Sequence, residues 1–250
     1  MGGYIYPPYF FRRMYMKNKI LLVGLFCCSL VSTEAQVLLD KNAGKNSFPI
    51  VSPAANVVVC FDGKDETVVR KSVTLFADDV RRVTGQDLKT QASNPGDVSA
   101  RYAIIVGTVG KSAWINALVA QKKIDTTPIT GGWERYMIET VDNPAPGIKK
   151  AIVVAGSDRR GTAYGLLSIS KAIGVSPWYW WADVPIRKQQ NVYVKPGQYT
   201  DGEPAVTYRG IFLNDEAPCL TGWVKQTYGT NYGDHRFYTQ VYELILRLKG

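Results

Sequence analysis

Residues 150–174 read KAIVVAGSDRRGTAYGLLSISKAIG, and this stretch decides the fold class. Residues 150–155 are a continuous apolar run, as a strand buried on both faces should be. From 162 to 173 the period changes: Ala163, Leu166, Leu167, Ser170 and Ile173 fall on one helical face, and Gly174 follows as a stop. A buried strand passing through a short polar loop into a helix is the repeating unit of an α/β layer.

Working outward, the same alternation recurs. NVVVCF at 56–61 reads as a strand closed by Asp62-Gly63, and Val69, Val73, Phe76, Val80 and Val83 predict a helix that Gly85 ends. The charges Asp78, Asp79, Arg81 and Arg82 read as the solvated side of that helix. YAIIV at 102–106 predicts a strand and 112–121 a helix, while ERYMIETV at 134–141 alternates like a half-exposed strand. The order strand, helix, strand, helix, strand, strand, helix predicts a small mixed-sheet α/β domain with one antiparallel pair.

Toward the C-terminus the pattern breaks. SPWYWWADVP at 176–185 holds four aromatics between two prolines, too many for one small core, so it reads as a domain interface or the wall of a binding site. Residues 196–204, with two Gly and two Pro, read as a linker. YRGIFL at 208–213 then predicts a buried strand with Asn214-Asp215-Glu216 at its end. A polar loop follows, and 237–249 predicts a helix carrying Val241, Leu244, Ile245 and Leu248 on one side. Acidic and amide groups where a buried strand emerges are where α/β barrels hold their working residues. A turn with local caps is the competing reading.

Toward the N-terminus, Met16-Lys17-Asn18-Lys19 precedes the apolar run 20–31 and the small-residue box Thr33-Glu34-Ala35, which predicts an export signal cleaved before Gln36. Twelve helical residues reach only about 18 Å, short of the roughly 30 Å of a bilayer core, so the run is not a span. Residues 1–15 read as an upstream extension. The expected product is therefore periplasmic or extracellular, with no membrane attachment after cleavage. The formal charge of +9 falls to +6 once residues 1–35 are set aside, because four bases and one acid leave with them. With no run of three basic residues, what remains is an ordinary solvated surface rather than a nucleic-acid footprint. Cys60 and Cys219 are left as a pair or as two buried small hydrophobes, and one histidine gives a zinc site almost no ligands.

The second candidate site is the loop at 157–162, SDRRGT, where a helix start favours an anion and Arg159 or Arg160 could grip a carboxylate. The alternatives are a cap or an interdomain ion pair. Gly156 and Gly161 do not form a nucleotide fingerprint.

Four runs, SDRRGTAYG at 157–165, GVSPWYWWADVP at 174–185, YRGIFLNDE at 208–216 and ELILRLKG at 243–250, resemble the N-terminal part of glycoside hydrolase family 115. The resemblance extends from about residue 45 to the end. It implies an inverting α-glucuronidase that releases glucuronic acid or its 4-O-methyl form from xylan side chains, without a cofactor. It also implies domains at 36–200 (α/β) and 201–250 (linker and truncated start of a (β/α)8 TIM barrel), and a homodimer of the full-length protein. Asp215 resembles a family position close to the bound uronic acid, with Asn214 and Glu216 orienting it and Arg159 and Arg160 near the barrel mouth. The partner implied is a polysaccharide or oligosaccharide bearing glucuronic acid. The catalytic acid and base are implied on later strands, so no catalytic residue is expected here. A carbohydrate-binding or scaffolding module without catalysis is the alternative, with the aromatic run as its platform.

Overall fold

Four adjacent strands run parallel: β3 (Val57–Phe61), β4 (Lys89–Ala92), β5 (Ala100–Thr108) and β7 (Ile148–Gly156). Two more, β6 (Tyr136–Ala145) and β9 (Gln198–Asp201), complete the sheet in the order β4-β3-β5-β7-β6-β9, with β6 antiparallel to both its neighbours. The structure is a computed structural model and describes residues 37–40, 42–52, 55–214, 216–230 and 233–250. The expected export signal and its cleavage point lie outside the described residues.

Period-two alternation sends the side chains of β3, β5 and β7 to two cores. Val59, Phe61, Ile104, Val106, Ile152 and Val154 meet helices α1 (Thr67–Thr84) and α3 (Arg159–Ala172), while Val58, Cys60, Ile105, Ala151, Val153 and Ala155 meet α2 (Ala113–Ala120) on the other side. A three-stranded antiparallel sheet, β1 (Leu39–Asp40), β8 (Val192–Val194) and β2 (Phe48–Val51), adds Phe48, Ile50 and Val194 to the first core. The result is a mixed α/β fold with a partly parallel sheet and interspersed helices. Residues Glu34–Gly250 form one compact unit.

The five apolar positions predicted for α1 are all buried, and Gly85 caps the helix at φ 76°. Asp79 corrects the expected solvated face: it is fully buried, because Arg247 of the last helix comes back across α1 and holds it bidentately at 2.8 and 2.9 Å. Sequence periodicity shows a helix's own faces and not a later segment that covers one. The stretch read as a linker holds β9, whose neighbouring Pro and Gly bracket the strand rather than replace it.

Residues 208–213 correct the expected buried strand. They carry no helix or strand, and Tyr208 and Phe212 are about nine-tenths exposed. Among the described residues no neighbouring strand offers a ladder to this segment, and a single strand has nothing to pair with. The expected loop after Glu216 contains a helix, α4 (Cys219–Tyr228), followed by α5 (His235–Arg247). Only Val224 of α4 is buried, so it carries no apolar stripe to betray it.

Candidate functional site

Where β5 and β7 end, Thr108 and Gly156 stand side by side in the parallel register. From there the chain leaves in opposite directions, into α2 on one face and α3 on the other, so the two loops part and open a cleft of about 400 Å³. It is lined by Glu66, Lys111, Trp133, Glu134, Arg159 and Arg160, with Thr108 and Ser157 among its further lining residues.

The 157–162 loop is shaped by its glycines. A Cβ on Gly156 would sit 2.1 Å from the Thr162 nitrogen, and one on Gly161 would sit 2.1 Å from the Arg135 carbonyl oxygen. Both positions serve close backbone packing, not phosphate approach. Asp158 is the N-cap of α3: its carboxylate accepts from the Arg160 and Gly161 nitrogens at 2.9 and 2.8 Å and from the Glu134 nitrogen at 2.7 Å. The amides that would attract an anion at this helix start are therefore already filled.

Arg160 has a partner as well. Its guanidinium donates to Glu134 Oε1 at 2.5 Å, and the other Glu134 oxygen pairs with Arg209. Glu134 is 5% exposed and adopts a left-handed backbone at φ 54°, an unusual conformation for a residue other than glycine. The Tyr164 hydrogen bond, and then the Glu134 charge, hold Arg160 above the ordinary arginine range; burial raises the Tyr164 phenol. Of the two arginines named from the sequence, Arg160 is thus an ion-pair residue tying the sheet to the segment that begins near 203. Arg159 is exposed and makes no hydrogen bond or ion pair among the described residues. Trp133 belongs to the same junction: its nitrogen donates to Glu203 at 3.0 Å, and the Arg209 guanidinium lies 5.6 Å above its ring.

Asn214 and Glu216 are exposed, and the Glu216 nitrogen donates to Asn214 Oδ1 at 3.1 Å, a local turn. Asp215 lies outside the described residues. Among the described residues no hydrogen bond or ion pair joins Arg159 or Arg160 to Asn214 or Glu216.

The aromatic run faces the last two helices. Tyr179 donates to Glu243 at 3.0 Å, Trp181 donates to the Gln240 carbonyl at 3.3 Å, and Trp181 packs edge-on against Phe237 with Trp180 and Trp223 alongside. The interface reading of this segment matches its geometry. Cys60 is buried and Cys219 exposed, both as free thiols. Glu134, Trp133 and Arg209 escaped the sequence reading. The one signal was the pair Gly131-Gly132 ahead of an aromatic and an acid, which marks a tight loop beside the strand.

Three comparisons bear on kinship. The profile of glycosyl hydrolase family 115 matches residues 201–250. A solved family GH115 4-O-methyl-alpha-glucuronidase, with specificity for decorated arabinogalactans, superposes with a TM-score of 0.67 at 33% identity, over 81% of this chain and 25% of that one. The chain therefore spans about a quarter of that enzyme's length. Flavobacterium johnsoniae chitobiase aligns at a TM-score of 0.38 and 17% identity over 72% of this chain and 21% of its own. The Streptomyces plicatus N-acetyl-beta-hexosaminidase aligns at 0.37 and 13% over 68% and 25%. No curated protein matches the chain. Profile and structure together link this chain to glycosyl hydrolase family 115, as a smaller portion than the solved enzyme.

Proposed function

We propose that the chain is the N-terminal portion of a family 115 α-glucuronidase, an exported enzyme that removes glucuronic acid or its 4-O-methyl form from a plant polysaccharide by inversion. The observation that carries this is the 33% identity held over 81% of the chain to a solved 4-O-methyl-alpha-glucuronidase. Residues 36–200 form the α/β domain and 201–250 the linker and opening unit of a catalytic barrel. Asp215 reads the sugar hydroxyls, with Asn214 and Glu216 orienting it. Inversion needs two carboxyl groups about 6.5–9.5 Å apart with a water between them, and this chain contributes at most a binding group to that arrangement. Xylan is the side chain carrier the sequence resemblance implies, and decorated arabinogalactan is the carrier named for the solved relative. The full-length enzyme is a homodimer in this reading.

The packing of Tyr179, Trp180 and Trp181 against α4 and α5 weighs against the binding-module alternative. The test is to read the coding DNA past codon 250 and to assay the product of the continued frame for glucuronic acid release from glucuronoxylan and arabinogalactan oligosaccharides. A continuing barrel with release supports the proposal. A stop at codon 250, or a continued product that releases nothing from either glycan, defeats it.

A further inference from the structure

We propose that Glu134 is a positioning residue for the sugar-binding segment: through Arg209 it sets where the chain leading into Asn214 stands against the α/β domain. This role rests on the functional reading proposed above, and Glu134 fills it without touching the sugar.

Glu134 is held in place before it holds anything. Its φ of 54° is a conformation that residues other than glycine keep only where the surroundings over-determine it. Here they do. The Glu134 nitrogen donates to Asp158 Oδ2 at 2.7 Å, the Arg135 nitrogen to Ser157 Oγ at 3.0 Å, and the Ser157 nitrogen back to the Arg135 carbonyl at 2.9 Å. The side chain is 5% exposed, and Arg160 donates to its Oε1 at 2.5 Å. The carboxylate is thus fixed from the backbone side by the turn before α3 and from the front by a guanidinium of α3 itself.

The other carboxylate oxygen reaches out of the domain. Oε2 accepts from Arg209 Nη2 and so orients a guanidinium whose remaining donors go to main-chain carbonyls, Nε to Lys249 at 2.6 Å and Nη1 to Val206 at 2.6 Å. Only the rigid fork of an arginine can serve three such acceptors at once. One side chain therefore joins the sheet domain, the start of the segment and the turn that follows α5.

The segment has little else to locate it. Residues 205–213 carry no helix or strand, and Val206, Tyr208 and Phe212 are exposed. Among the described residues every hydrogen bond and ion pair of 205–213 is made by Arg209, and Leu213 adds a partly buried contact with the Val224 and Phe237 cluster. A chain anchored at one charged group keeps its course only while that group keeps its direction, and Asn214 follows Arg209 by five residues. A surface ion pair would hold it poorly, being screened by water. This one is buried at the Glu134 end and shared between arginines from two different segments.

Two measurements test the role. In the 250-residue chain, Arg209 can enter the trypsin pocket only after leaving Glu134 and the two carbonyls. Cleavage after Arg209 should therefore run roughly tenfold faster or more in Glu134→Gln, while cleavage within the sheet domain keeps the parent's rate. In the enzyme made from the continued frame, Glu134→Gln should lose about tenfold to a hundredfold in kcat/KM for glucuronic acid release, because a displaced binding group costs that much with every substrate contact still present in the sequence. The assay is run well below the melting transition of each variant, so that lost stability alone moves nothing. Arg209→Gln should show the same loss, and the double variant no more than either, since both act through one contact. Arg209→Gln also carries the test if Glu134→Gln fails to fold. Unchanged cleavage after Arg209, or additive losses in the double variant, overturns the proposal. An active parent whose Glu134→Gln variant stays within about twofold in kcat/KM leaves Glu134 a structural ion pair and overturns the positioning role alone. A parent that releases no glucuronic acid overturns the functional reading and this role with it.

Discussion

Between Phe48 and Asp201 the central strands are covered on both faces, and the cores run from end to end of β3, β5 and β7. From Val206 onward the described buried residues are five: Val224, Phe237, Val241, Leu244 and Arg247. The first region is held by apolar area, which is nearly indifferent to any one contact. The second is held at points. These are Asp79 with Arg247, Glu134 with Arg209, Tyr179 with Glu243, and Trp181 on Phe237. The difference teaches that removing one group should loosen the second region without disturbing the first.

Nature has placed one described cysteine in each region, which gives the sharpest contrast. Cys60 sits fully buried in β3, and burial pushes its thiol up to about 11, so it stays protonated and shielded at pH 8. Cys219 opens α4 and is exposed. Labelling with an alkylating reagent at pH 8, mapped by peptide mass spectrometry, should modify Cys219 at least about a thousandfold faster, because Cys60 must wait for rare opening of the sheet. Comparable rates would mean that the sheet region is no better protected than the tail.

Asp79 is the next place to break the comparison. Asp79→Ala leaves the buried Arg247 with Glu243, 2.8 Å from its Nε, as its remaining partner, a change that costs about 1.5–3 kcal/mol for the lost hydrogen bonds to a charged group. Hydrogen exchange should lose protection over His235–Arg247 while β3, β5 and β7 keep theirs. Asp79→Leu combined with Arg247→Leu should recover part of the loss, since an apolar pair replaces the buried ion pair while Glu243 keeps the Tyr179 hydroxyl as its donor. A uniform loss across both regions would show that the tail is part of one cooperative core.

Those same contacts mark how far the sequence could be read. β5, β7, α1 and α3 were legible because each carries its own apolar period, and all five predicted positions of α1 are buried. β4 was not legible: Lys89–Ala92 reads KTQA, a polar edge strand that joins the sheet through its backbone alone. Nor was β9, hidden among prolines and glycines. Asp79 looked like a surface charge and Glu134 went unnoticed because their partners, Arg247 and Arg209, lie 168 and 75 residues away. No local pattern records a contact over such a separation. For the candidate site, the sequence named the loop that forms one wall of the cleft. It missed Trp133 and Glu134 on the other wall, and for Arg160 the ion-pair alternative describes the contact seen, with Glu134.

The smallest effect is one of pH. Burial, and then the Glu243 charge beside it, push the Tyr179 phenol up to about 12, while Arg82 and Arg247 pull it the other way. An unfolded tyrosine titrates near 10. Because the folded value is the higher one, the folded chain holds this proton where the unfolded chain has released it. The stabilisation is therefore complete below pH 10 and is lost as the pH rises from 10 to 12. About half-burial of the ring means that water screens part of the effect, so the change should be modest. Urea unfolding followed by the fluorescence of Trp181 and Trp223, which pack beside Tyr179's helix contact, should show the midpoint falling over that window. Tyr179→Phe, lacking the hydrogen bond to Glu243 at 3.0 Å, should start lower at pH 8 and converge with the parent by pH 12. Two curves that stay parallel across the window would remove Tyr179 from the set of contacts that attach α5 to the sheet.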